Sequence, residues 1–265
     1  MTIVKNKKTN IKRKPLIAGN WKMCGSRAQT TQLLQALIQQ QQTLAAVELA
    51  VFPPFVFLEQ TQRLLHNTTI AWGAQNVSAA AEGAYTGEIS AGMLLDFGCR
   101  YVLVGHSERR TLYGENDEIV AAKFQCATQA GLTPIVCVGE TLAEHKAGHT
   151  TKVVKHQIDV VLKLQPKRET WTTAIVAYEP VWAIGTGMTA TPEQAQAVHA
   201  LLRQHIAQGN AEVAQSLRIL YGGSVKPENA AALFAMPDID GGLIGKASLD
   251  SQQFLEIARA CNNLY

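Results

Sequence analysis

Ala177-Tyr178-Glu179-Pro180-Val181-Trp182-Ala183-Ile184-Gly185-Thr186-Gly187 runs from an apolar strand into a carboxylate and then into a loop bracketed by Pro and two Gly. Ile175, Val176 and Ala177 make the short apolar run expected of a strand buried on both faces, and Glu179 stands where that strand ends. Pro180 fixes its own φ at about −65° and biases Glu179 toward an extended backbone. Gly185 and Gly187 permit hinge dihedrals and close approach to a ligand. The pattern reads as a base beneath a lid. Taken alone, the segment fits an ordinary strand-to-helix connection with a surface Glu equally well, so its partners elsewhere decide.

Similar apolar runs recur outward from this stretch, around Leu16–Gly19, Leu49–Phe52, Ile70–Gly73, Tyr101–Gly105, Pro134–Val138, Ala174–Tyr178, Arg218–Tyr221 and Gly242–Gly245, eight in all. Helical patterns separate them. Thr191-Pro192-Glu193-Gln194 offers a capping Thr, Pro at the first helical position and Gln at the third, ahead of Ala195, Val198, Leu201 and Leu202. Asn116–Ala130 carries apolar residues at helical spacing and stops at Gly131. Strand and helix alternating eight times imply parallel strands with right-handed crossovers, which can close into a (β/α)8 barrel of one domain.

Composition agrees with a large core. Of the 265 residues 47% are hydrophobic and only 17% charged, below the usual quarter, which disfavours a highly charged binding surface. The net charge is +3, but Lys5, Lys7, Lys8, Lys12, Arg13 and Lys14 crowd the start without an acid, so removing these six leaves −3 on residues 15–265. Residues 1–14 read as a disordered basic extension. They lack the apolar core of a secretory signal and the amphipathic, Arg-rich character of a transit peptide, and neither nucleic acid nor a membrane is implied as partner. The five cysteines contain no Cys-x-x-Cys pair, so neither a disulfide framework nor a zinc site is indicated, and a cytoplasmic location is expected.

A barrel places its chemistry at the C-terminal ends of its strands. There stand Gly19-Asn20-Trp21-Lys22-Met23, Gly105-His106-Ser107-Glu108-Arg109-Arg110, Glu179, Tyr221-Gly222-Gly223-Ser224-Val225 and Gly245-Lys246-Ala247-Ser248-Leu249. With Ala177–Gly187, these blocks, in this order and spacing, resemble the signature of triosephosphate isomerase across the chain after residue 14. The resemblance implies a single TIM barrel that interconverts dihydroxyacetone phosphate and D-glyceraldehyde 3-phosphate through an enediol(ate), in glycolysis and gluconeogenesis. A phosphosugar-binding barrel without this activity is the alternative.

On that resemblance Glu179 is the base that removes a proton next to a carbonyl, and His106 the electrophile that donates to the carbonyl oxygen. A neutral His106 suits the task, with a lowered pKa if it faces the N-terminus of the helix opened by Ser107 and Glu108. Lys22 supplies fixed positive charge and Asn20 a side-chain hydrogen bond to substrate. Glu108 orients Lys22 or accepts a ligand proton, a simple salt bridge being its bland alternative. Backbone N–H groups of Gly-rich turns suit a phosphate, so Ser224, Gly245 and Lys246, with Gly185 closing from the lid, are the phosphate candidates. No nicotinamide or other cofactor is implied.

Two positions depart from the family pattern: Lys246 stands where many members have a second Gly, and Met188 where Lys is common at the far lid hinge. Gly83–Ser90 resembles a loop that inserts into a second subunit, implying a homodimer through Tyr85, Thr86 and Glu88; a mobile surface loop also fits. His145, His149 and His156 read as a solvated cluster rather than a metal site, and Cys137 as a packing residue rather than a nucleophile.

Overall fold

The computed structural model describes residues 13–164, 171, 173–183 and 189–264. Eight parallel strands close into a barrel in sequence order: β1 (Leu16–Asn20), β2 (Glu48–Phe52), β3 (Ala71–Ala74), β4 (Tyr101–Val104), β5 (Thr133–Val138), β6 (Ile175–Tyr178), β7 (Arg218–Tyr221) and β8 (Gly241–Ile244). Strand β1 pairs β2 on one side and β8 on the other, so no edge is left unpaired.

The strands read as continuous apolar runs because both faces are buried. Leu16, Ala18, Phe52, Leu103, Ile135 and Ala177 fill the interior, whereas Ile17, Val51, Val102, Val136 and Val176 point outward beneath the helices. That alternation is the period-two geometry of a strand applied to a closed sheet.

All eight expected strands are present, with ends displaced by a residue. The displacement after β4 has a steric cause: Gly105 adopts φ 68°, and a Cβ there would meet Val120 at 2.7 Å, so pairing stops at Val104 and the chain turns. The helices start and stop on the expected residues. Thr191 and Gln194 form both halves of a capping box for Pro192–Gly209, and Asn116 caps Asp117–Ala130 through the Ile119 N–H. Gly131 closes the latter helix in the left-handed region.

Residues 1–12 of the expected extension and the lid residues Gly185, Gly187 and Met188 lie outside the described residues. Arg13, at the edge of that extension, pairs with Asp240 at 2.6 Å and donates to the Pro237 carbonyl at 2.9 Å.

Candidate active site

Strand β1 delivers Asn20, 5% exposed, and the chain then turns sharply. Lys22 takes φ 53°, the one positive φ outside Gly among the described residues. Such a backbone costs roughly 1–2 kcal/mol in a residue bearing a Cβ and persists only where neighbours hold it. The Asn20 carboxamide oxygen accepts the Lys22 N–H at 3.0 Å, and the Lys22 ammonium reaches Glu108 Oε1 at 2.6 Å. Lys22 and Glu108 remain partly open, with side chains 32% and 43% exposed, so a ligand can reach both.

From β4 the Gly105 turn presents His106 as the N-cap of helix Ser107–Tyr113. Its Nδ1 accepts the Glu108 N–H at 3.2 Å, which leaves the ring proton on Nε2. From β6, Glu179 enters the interior with only 3% of its side chain exposed. The Glu179 N–H donates to the Val138 carbonyl at 2.8 Å, and a Cβ on Gly139 would collide with the Glu179 carbonyl. Only glycine therefore lets the ends of β5 and β6 close together at this point.

The two buried groups meet. His106 Nε2 lies 3.0 Å from Glu179 Oε1, and Glu179 Oε2 accepts the Ser107 N–H at 2.9 Å. Burial pushes the Glu179 carboxyl upward, but His106, the Ser107 N–H and the Lys22 charge together outweigh it and hold the carboxyl below its ordinary value. Burial pulls His106 downward, yet the Glu179 carboxylate outweighs burial and raises the imidazole above its ordinary value. This corrects the expected lowering. His106 does face the helix N-terminus, but the charge beside Nε2 dominates in the ligand-free arrangement.

The remaining sequence candidates surround the same space, a cavity of about 1200 Å³ bounded by described residues. Asn20, Lys22, His106, Glu108, Glu179, Ser224, Gly245 and Lys246 all line it, and a Cβ on Gly245 would lie 3.7 Å from the Lys22 side chain. Gly245 precedes the short helix Lys246–Leu249, and Lys246 is exposed. The arrangement joins a carboxylate, an imidazole and a lysine ammonium at one mouth, beside Gly-rich turns. Of the expected site residues, only Gly185 lies outside the described residues.

Three groups were not singled out from the sequence. The Ser107 backbone N–H carries no side-chain signature. Gln75 follows β3 as an ordinary polar residue, yet its carboxamide donates to the carbonyls of Lys22 and Phe52. Glu140, fully buried after β5, accepts from Trp182 Nε1 at 2.8 Å and the Tyr178 hydroxyl at 3.1 Å, anchoring the end of β6 and the short turn that follows it. An acid at a strand end was its available signal.

The bland candidates have structural surroundings. Cys137 is buried inside the barrel, where burial pushes its thiol well up, as suits packing. His145 stacks on Trp182 with ring centres 4.3 Å apart, while His156 faces Asp117 at 3.7 Å, so the two do not converge.

The family model for triosephosphate isomerase matches residues 15–261. A triosephosphate isomerase of Coxiella burnetii (strain Dugway 5J108-111) is 55% identical over 96% of this chain and 100% of its own length. One of Thiobacillus denitrificans is 58% identical over 94% of this chain and 98% of its own, and one of Nitrosococcus oceani 56% identical over 94% and 99%. With fold, strand-end residues and near-complete coverage in agreement, the chain belongs to the triosephosphate isomerase family.

Proposed function

We propose that this site interconverts dihydroxyacetone phosphate and D-glyceraldehyde 3-phosphate by proton transfer through an enediol(ate), as an aldose–ketose isomerase of glycolysis and gluconeogenesis. The observation that carries the reading is the 3.0 Å approach of His106 Nε2 to Glu179 Oε1 beside Asn20 and Lys22. Glu179 removes the proton from the carbon next to the carbonyl. The electron pair moves to the carbonyl oxygen, which His106 Nε2–H and the Lys22 ammonium stabilise. His106 exchanges a proton between the two oxygens, and Glu179 returns its proton to the neighbouring carbon, so no atom is gained or lost. Asn20 donates to a substrate oxygen, and Glu108 orients the Lys22 ammonium it already holds at 2.6 Å. Ser224, Gly245 and Lys246 meet the phosphate, with Gly185 closing over it. No cofactor is called for.

Substrate must break the resting contacts. Glu179 gives up the Ser107 N–H and His106 in order to face carbon, which removes two groups that hold its basicity down. The same movement withdraws the charge that raises His106, leaving burial and Lys22 to lower it toward the neutral donor the reaction needs. Conversion of D-glyceraldehyde 3-phosphate by the purified protein tests the proposal. Rapid turnover supports it; a folded protein that binds phosphate but does not turn over substrate points to the non-catalytic barrel.

Residues 15–265 form the catalytic domain in this reading, residues 1–14 an extension to it, and the enzyme works in the cytoplasm. None of the helices described is long and apolar enough to cross a membrane, and the cysteines are free. The protein acts as a homodimer through Tyr85, Thr86 and Glu88. Tyr85 is 56% exposed on the single chain and Met23, adjoining Lys22, is 95% exposed, apolar surface that a second copy would cover. Light scattering at the mass of one chain would contradict the dimer.

A further inference from the structure

We infer that Ser248 is a positioning residue for phosphate, turning the Gly245–Lys246 peptide so that the Lys246 N–H faces the cavity. The inference rests on the reading of Gly245 and Lys246 as phosphate contacts. Ser248 meets one carbonyl twice: its hydroxyl donates to the Gly245 oxygen at 2.7 Å, and its backbone N–H donates to the same oxygen at 2.9 Å. Both lone pairs of that oxygen are engaged, so the direction of the carbonyl is fixed.

A trans peptide is planar, and its N–H points opposite to its C=O. Holding the Gly245 carbonyl on Ser248 therefore sends the Lys246 N–H the other way. Ser248 is fully buried against β1 and Phe254: a Cβ on Gly19 would stand 2.9 Å from the Ser248 Cβ and 3.1 Å from the Phe254 ring. Glycine at position 19 is what leaves room for the serine. The carbonyl thus turns to the packed wall, while Gly245 and Lys246 line the cavity next to Lys22.

A peptide turned the other way would present its oxygen to the phosphate and repel it. The Ser248 hydroxyl secures the productive orientation, because the backbone N–H alone engages only one lone pair. Lys246 also keeps a negative φ, Lys22 being the one positive φ outside Gly among the described residues. The departure from Gly at position 246 is therefore compatible with the N–H that Ser248 directs.

Ser248→Ala removes the hydroxyl and keeps the backbone bond, and Ser248→Cys keeps a weaker donor. Below its own unfolding midpoint, each variant is titrated with inorganic phosphate by calorimetry and assayed on D-glyceraldehyde 3-phosphate and on phosphate-free D-glyceraldehyde. Ser248→Ala is expected to bind phosphate about threefold to tenfold more weakly and to lose a similar factor in kcat/KM on the phosphorylated substrate. The slow reaction of phosphate-free D-glyceraldehyde should be unchanged, and Ser248→Cys should lie between Ser248→Ala and wild type. Where Ser248→Ala does not fold, Ser248→Cys decides by the same comparison. Wild-type phosphate affinity in the variant, with only the midpoint lowered, would overturn the assignment and leave Ser248 a packing residue. Equal losses on the two substrates would also overturn it, by moving the effect to the proton-transfer groups. Phosphate binding needs no turnover, so an inactive wild type would overturn the isomerase reading while the titrations still decide for or against Ser248.

Discussion

Two clusters of charge occupy opposite ends of the same barrel. At the floor, where strands begin, Glu48 is closed in on both oxygens: the Tyr101 hydroxyl at 2.6 Å and Arg100 at 2.7 Å meet Oε1, and Arg218 at 2.7 Å meets Oε2. At the mouth, where strands end, Glu179 is more deeply buried than Glu48 but leans on His106 and a backbone N–H that a substrate can replace, while Lys22 and Glu108 stay partly exposed. The same residue types serve both ends. What differs is whether their partners are bound for good or exchangeable, and that separates a charge that holds the barrel from one that performs chemistry.

The sharpest way to break the contrast is to remove one carboxylate from each end. Glu179→Gln keeps the shape and discards the base, so kcat should fall by about a thousandfold or more with little change in melting temperature. In the same variant the charge that raises His106 is gone, and the imidazole should titrate lower than in wild type by nitrogen-detected NMR.

Glu48→Gln should do the reverse. It leaves Arg218 without its anion at the floor and should cost roughly 2–3 kcal/mol of stability, read by denaturant unfolding, while the folded protein keeps near-normal turnover. Burial pushes the Glu48 carboxyl up, but Tyr101, Arg218 and Arg100 outweigh burial and hold it below its ordinary value. A carboxyl depressed in the folded state stabilises above its unfolded pKa, and that stability disappears as pH falls through the folded value. Wild type should therefore lose stability on acidification below the ordinary carboxylate range, more steeply than Glu48→Gln does.

The smallest effect sharpens the comparison within the mouth. Lys246 is exposed beside Gly245, and the proposed phosphate contact runs through its backbone N–H rather than its ammonium. Lys246→Gly should change KM by only a few-fold, about 1 kcal/mol or less. A hundredfold rise would make the ammonium a phosphate ligand in its own right.

Much of this was legible in the sequence because its signals were local. Apolar runs bounded by Gly gave the strands, Thr191–Gln194 its capping box, and polar residues after strands β1, β4, β6, β7 and β8 the site. The illegible parts depend on contacts across the fold. Gln75 acts on a carbonyl 53 positions away, and the Ser107 amide on a carboxylate 72 away, through backbone groups that every residue possesses. The direction of the His106 shift depends on the same distant carboxylate, so the helix N-terminus that the sequence did reveal predicts it with the wrong sign.

The most direct measurement runs the isomerisation of D-glyceraldehyde 3-phosphate in deuterium oxide and locates deuterium in the product by NMR. If Glu179 carries the proton between carbons, the receiving carbon of the product holds the transferred hydrogen, or deuterium to the extent that the Glu179 carboxyl exchanges with solvent before returning it, and Glu179→Gln loses transfer, exchange and turnover together. Undiminished turnover or exchange in Glu179→Gln would contradict the assignment of Glu179 as the base.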